Sequence, residues 1–404
     1  MQGFQKYLIE DKNTHLEHLE DEIINNGTQG AKTSIEFLKS IKKMLQGGKG
    51  GSNVSVKWDG APAIFAGTNP ENGRFFVGTK SIFNATPKIN YTVSDISRNH
   101  GGALADKLAV ALKHLPSLGI KGVLQGDLLF TDDKKNAVVN GERSIIFTPN
   151  TITYAVPTTS VDMYNRIRAA KIGIIFHTSY SGKTMRGLKA SFGASVSGLR
   201  QNKNVFFDDA RYKQAQDPGF SKGEEKRFDA IIRMAEGSAY KAGAFIDKIK
   251  KDQGPLSLGV QLKTFFNTYI RSGTKIGNAK ALANNFEVFF RDRLKKEIDG
   301  KKQENTKQKY REILEAGMKI LRPNRQGLYF AIATYITLQT AKSLLLSKLN
   351  KIQSIGSFMR TSTGYRATSP EGYVAINKGN AVKLVDRLVF SQANFNVAKD
   401  WVRG

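Results

Sequence analysis

Apolar positions change their spacing along the chain, and each change marks a segment. In residues 1–50 they fall at helical intervals: Leu16, Leu19, Ile23 and Ile24 form one face, and Ile35, Phe37, Leu38, Ile41 and Leu45 another. Asn26-Gly27 and Gln29-Gly30 break these helices apart, and Gly47 to Ser52 reads as a flexible linker. From 51 to 180 the spacing is mainly that of strands, with one amphipathic helix over 103–115 carrying Leu104, Leu108, Leu112 and Leu115. From 181 to 364 helical patterns dominate: Phe228–Ile249, Val260–Ile270, Ala279–Ile298, Lys307–Leu321 and Leu328–Leu349. Residues 365–404 return to strands. A chain of 404 residues is too long for one core of usual size, so the pattern predicts an α+β protein of two or three domains.

Charge sharpens the picture. There are 62 basic against 35 acidic residues, a net +27, which points to a polyanionic partner, most simply nucleic acid. The excess is regional: residues 181–368 hold 36 basic and 16 acidic residues, +20 of the +27. Lys295, Lys296, Lys301 and Lys302 lie outside the apolar stripes there and are candidates for a phosphate-tracking surface. Phe286, Phe289, Phe290 and Leu294 make one stripe and read as helical core rather than a base-stacking platform. No apolar run reaches the length of a membrane span, and Met1 to Lys6 holds no signal-peptide core. With no cysteine there are no disulfides or thiolate metal sites, and a cytoplasmic location fits. His15 and His18 have the spacing of two ligands on one helix face, but no third ligand stands nearby and they read as surface residues.

The chemistry concentrates at Val54-Ser55-Val56-Lys57-Trp58-Asp59-Gly60. Alternation makes a strand up to Lys57; Asp59-Gly60 makes a tight turn, and Ala63-Ile64-Phe65-Ala66 a returning strand. Lys57 then sits at a strand end, aimed into the cleft that the hairpin faces. Burial and neighbouring cations can depress a lysine there and free its lone pair for attack. Asp59 shares its side of the pleat and would orient something bound. On these residues alone a surface hairpin is the simpler reading; stretches elsewhere reverse that.

Lys57-Trp58-Asp59-Gly60 resembles the Lys-x-Asp-Gly nucleophile motif of the covalent nucleotidyltransferases, the ATP-dependent DNA and RNA ligases and the mRNA capping enzymes. Further stretches resemble that family's other motifs, in its order: Gly78-Thr79-Lys80-Ser81, Gln125-Gly126-Asp127-Leu128-Leu129-Phe130, Lys171 to Phe176, Glu371-Gly372-Tyr373-Val374, and Ala381-Val382-Lys383-Leu384-Val385. The resemblance implies that Lys80, Asp127, Phe176, Glu371 and Lys383 contact the nucleotide along with Lys57 and Gly60. It implies that Phe176 stacks on the base, that Asp127 and Glu371 hold magnesium, and that Lys383 meets the α-phosphate. Three positions depart from the family pattern: Asp127 stands for a glutamate, His177 for an aspartate, and Val385 for a second lysine.

The resemblance covers roughly 170 residues. It implies an adenylyltransferase domain of two antiparallel sheets around a nucleotide cleft, built from 51–180 and 365–404. The N-terminal helical segment, 1–50, and a basic helical insertion, 181–364, lie outside it. It further implies an ATP-dependent ligase that joins 5′-phosphate and 3′-hydroxyl ends through a lysyl-AMP on Lys57, with ATP and Mg2+ as cofactors. About twenty residues follow the last motif, no room for the OB domain of DNA ligases and capping enzymes, which tilts the expectation slightly toward RNA over nicked DNA. The alternatives are an mRNA guanylyltransferase and a non-catalytic nucleic-acid-binding protein on the same scaffold.

Overall fold

The computed structural model describes residues 16–47, 53–210, 219–251, 254–350, 356–361, 364–367, 371–377 and 380–388. Numbered in chain order, β1 (Asn53–Lys57), β13 (Gly372–Asn377) and β14 (Asn380–Val385) form a three-stranded antiparallel sheet in the order β1-β13-β14. Alternation along it is strict. Val54, Tyr373, Ala375, Val382 and Leu384 point into the core of the helical part, and Ser55, Lys57 and Lys383 occupy the opposite parity. The sheet thus divides the helices from a cleft.

The cleft's other wall is a six-stranded sheet. Its main path runs β10 (Val205–Asp209), β8 (Ile172–Ser181), β4 (Val123–Phe130), β2 (Ala63–Thr68) and β3 (Phe75–Gly78), with β9 (Lys189–Phe192) paired to β8. One face is covered by α2 (Val93–Asn99) and α3 (Gly102–His114), through Ile96, Leu108 and Ala111. Part of the other face packs on a five-stranded sheet. That sheet joins β5 (Lys135–Val139), β6 (Glu142–Phe147) and β7 (Ile152–Pro157) to β11 (Gly356–Thr361) and β12 (Gly364–Ala367). Phe130, Phe147, Tyr154 and Phe206 fill the space between these two sheets, with Ile167 of α4 (Val161–Ala169) beside them.

The helical part comprises α1 (Glu22–Leu45), α5 (Lys222–Ile249), α6 (Leu258–Arg271), α7 (Ala279–Asp299), α8 (Glu304–Leu321) and α9 (Arg325–Leu349). α1 breaks at Gly27, where φ is +61°. There the Asp247 carboxylate accepts from the Thr28 backbone N–H at 3.0 Å and from its hydroxyl at 2.8 Å, capping the resumed helix. Phe286, Phe290 and Leu294 are buried in the helical core, as their spacing predicts.

The molecule is α+β with its helices where periodicity puts them, but three expectations about its layout need correction. The described residues form three sheets, not two, and β10 runs parallel to β8. The helices resume at Lys222 rather than 181, because Lys189–Phe192 and Val205–Asp209 are strands of the six-stranded sheet; Phe206 and Phe207 are buried on opposite faces, so they carry no alternation. β11 pairs with β7, so strands return at Gly356 rather than 365. His18 is extended and bridges to Lys383, not on a helix; His15 lies outside the described residues.

Candidate nucleotide-binding cleft

Lys57 is the last residue of β1, and its Nζ is hydrogen-bonded to the Glu371 carboxylate, which lies immediately before β13. Their side chains are 26% and 10% exposed. The register Lys57↔Gly372 brings the two together, so the pair depends on β1 and β13 lying side by side. Lys383 is one strand further on: it pairs with Val374, which pairs with Ser55. The Lys383 N–H donates to the Glu17 carbonyl at 2.9 Å, so the segment before α1 covers the outer edge of β14.

The electrostatics reverse one expectation. Burial pushes the Lys57 ammonium down, but Glu371, Asp127 and Asp59 together outweigh it and hold the pKa above the ordinary lysine value. Lys383 is the lysine held low, by burial and by the Lys57 charge. Burial raises Glu371, and Asp59 and Asp127 add to this against the pull of Lys57. Lys57 is therefore stored protonated, paired and oriented.

Asp59 does not face a ligand. It is 2% exposed, and its carboxylate accepts from Asn150 Nδ2 at 2.7 Å, Thr151 N at 2.7 Å, Thr151 Oγ1 at 2.6 Å and Ile152 N at 2.7 Å. Its own N–H donates to the Tyr154 hydroxyl at 2.8 Å. These bonds fasten the lysine turn to the β6–β7 connection. Gly60 serves the same close packing: a Cβ there would lie 2.5 Å from Asp127 Cβ and 2.9 Å from the Leu128 carbonyl.

Asp127 lines the cleft from β4, and His177 Nε2 lies 3.6 Å from its Oδ1. Phe176, expected to stack on a base, is fully buried in the core under α3, on the far face of the sheet. Strand parity puts its neighbour His177 on the cleft side instead. The cleft encloses about 210 Å3, with Val374 and Ile376 on one wall and Gln125, Tyr180 and Phe192 on the other. Tyr180 is pushed up to about 12 by burial, and its hydroxyl donates to Gln125 Oε1 at 2.8 Å. Leu16 also lines the cleft, although its spacing suggested a helix face.

Two other expectations fall away from this centre. Lys80 is exposed on the short turn Lys80–Phe83 after β3 and is not among the residues lining the cleft. Of the four α7-region lysines, Lys295, Lys296 and Lys302 are exposed. Lys301 is drawn back onto Glu297 at 3.3 Å and over the Tyr310 ring at 5.1 Å. Among the described residues no group of three or more His, Cys, Asp or Glu side chains comes together to hold a metal ion. Asp127 and Glu371 fit magnesium only in its usual nucleotide-bound mode, one or two carboxylates completed by water and substrate phosphates.

A family model described as a family of unknown function, DUF6267, matches residues 13–399. The chain belongs to that family. No curated protein and no solved structure matches it. The matched span takes in Lys57, Glu371, Lys383 and the helical part alike. Among the described residues no helix is long and apolar enough to cross a membrane.

Proposed function

We propose that this chain is an ATP-dependent polynucleotide ligase working through a lysyl-AMP on Lys57. The observation that carries the proposal is convergence: Lys57 and Glu371, 314 residues apart, are bonded to each other, with Asp127 near enough to shift the titration of both and Lys383 near enough to be shifted by them. Each belongs to a stretch that resembles a separate nucleotidyltransferase motif, and nothing local in the sequence requires them to meet.

The cleft's residues take distinct parts. Lys57 Nζ, once deprotonated, attacks the α-phosphate of ATP; an N–P bond forms, the P–O bond to pyrophosphate breaks, and the lysine proton leaves to solvent. Glu371 holds Nζ on one line until then. Lys383 lies two strands from Lys57, on β14, and neutralises charge on the α-phosphate. Val374 and the aromatic rings of Tyr180 and Phe192 form an apolar slot for the base. Magnesium, held by Asp127 and Glu371, would supply charge neutralisation on the phosphates. AMP then passes to a 5′-phosphate, and a 3′-hydroxyl displaces it to join the strand, each step an in-line transfer served by positioning.

A second reading is a non-catalytic nucleic-acid-binding protein, favoured by the pairing that keeps Lys57 charged. Incubation with α-labelled ATP and magnesium, followed by a denaturing gel, separates the two: a ligase retains label on the chain, and a binding protein does not. Joining assays on nicked duplex DNA, nicked RNA and single-stranded RNA then assign the substrate.

A further inference from the structure

A second cleft, of about 830 Å3, opens between α5, the loop after α6, α9 and the residues that follow β14. Four cationic side chains line it, Arg227, Lys275, Lys342 and Arg387, and Asp386 is the one carboxylate among its lining residues. Two of the cations are neutralised from behind. Lys342 Nζ lies 2.7 Å from both Glu20 oxygens, and Arg387 Nη1 lies 3.2 Å from Asp21 Oδ1 and 2.6 Å from the Tyr335 hydroxyl. Arg227 and Lys275 are exposed and have no ion-pair partner among the described residues.

Arg387 is 7% exposed and fixed among protein partners: besides Asp21 and Tyr335, its Nη2 donates to Asn267 Oδ1. The cleft therefore presents two exposed cations, Arg227 and Lys275, with one acid among its lining residues to oppose an anion.

Its location narrows the class of anion. Val385 is part of the lining and pairs with Gly372, which pairs with Lys57. Two strand spacings separate Val385 from Lys57, roughly 10 Å. We infer that this cleft holds the phosphodiester backbone of one nucleic-acid strand, with phosphates between Arg227 and Lys275, and directs that strand's end around β14 toward Lys57. The direction toward Lys57 rests on the ligase reading; the strand site itself does not. Volume supports a run of backbone rather than an isolated phosphate, and the regional excess of positive charge lies on the same helices.

The test is the salt dependence of binding of a fluorescent, 5′-phosphorylated single-stranded RNA to the full chain and to Arg227→Ala/Lys275→Ala. Both residues are exposed, so the variant folds, and its melting curve serves as control. Two lost phosphate contacts make the log–log salt slope shallower by about 1.4 and weaken binding about tenfold or more at low salt. Labelling of Lys57 by ATP alone stays at the parent level. An unchanged slope overturns the strand site. Competition by inorganic phosphate as effective, per phosphate, as unlabelled RNA also overturns it, because the cleft would then take a small anion. If neither protein takes label from ATP but the slope still falls in the variant, the ligase reading fails and the strand site stands.

Discussion

Lys57 and Glu371 form an ion pair across β1 and β13, although 314 residues separate them in sequence. On the proposed ligase reading the pair keeps the nucleophile in one position, and it also keeps Lys57 charged. Two carboxylates besides Glu371 hold its proton on. Release of that proton then requires positive charge that offsets the carboxylates' attraction, as a cation bound beside them would supply.

Asp59 should act chiefly on stability, its charge adding to the hold on the Lys57 proton. Asp59→Ala leaves the Thr151 and Ile152 N–H groups without their buried acceptor. Loss of several buried hydrogen bonds should cost about 2–4 kcal/mol, read by urea unfolding. A change within experimental error would remove Asp59 from its place as the pin between the lysine turn and the β6–β7 connection.

The Glu20–Lys342 pair, both partners almost inaccessible, should show strong non-additivity. Lys342→Met or Glu20→Leu alone strands a buried charge and should destabilise by about 3–5 kcal/mol, while the two together should recover most of the loss. Simple addition of the single effects would contradict the pairing.

Asp21 sets a pH dependence of definite sign. Burial pushes its carboxyl up to about 6, against the pull of Arg387, from the ordinary aspartate value of 3.8. Between those values the folded protein binds the proton and the unfolded chain does not, so stability falls as pH rises from about 4 to about 6. Asp21→Asn keeps an acceptor for Tyr335 and Arg387 and should flatten that part of the melting-temperature profile relative to the parent protein. Parallel profiles would show that Asp21 does not titrate there.

Phe176 and Phe192 should part company. Phe176→Ala empties a fully buried core position and should cost about 3–5 kcal/mol while leaving the affinity for ATP of the folded fraction unchanged. Phe192→Ala, on the cleft wall, should leave stability nearly unchanged and raise the ATP concentration needed for half-maximal labelling. The opposite pattern would restore the base-stacking role that the sequence suggested for Phe176.

Much of the fold is legible in the sequence where the reason is local. The helices from α5 to α9 follow from apolar spacing, and β1 from the alternation that ends at Lys57. The motif stretches pick out Lys57, Glu371 and Lys383 before any geometry is known. What escapes is whatever depends on distant partners. Nothing near Asp59 signals donors 91 to 93 residues away, and those bonds make it a pin between the lysine turn and the β6–β7 connection. Phe176 lies in the core because it shares strand parity with Ile172 and Ile174, and which face of that strand meets the core and which the cleft is set by the packing of the sheet, which no single-strand pattern reveals. β10 lacks alternation because both its faces are buried, and the edge contact that brings Leu16 into the cleft is made by backbone, through Glu17 and Lys383.

The central claim is that Lys57 carries AMP, and labelling of the chain by α-labelled ATP with magnesium, resolved on a denaturing gel, tests it most directly. The parent protein should retain an acid-labile label whose rate of formation climbs with pH above neutrality, since the Lys57 proton is held more tightly than an ordinary lysine's. Lys57→Ala and Lys57→Arg should retain none, and Glu371→Gln should label on the order of a hundredfold more slowly. Equal labelling of the parent protein and Lys57→Ala, or no label on either, would contradict the account.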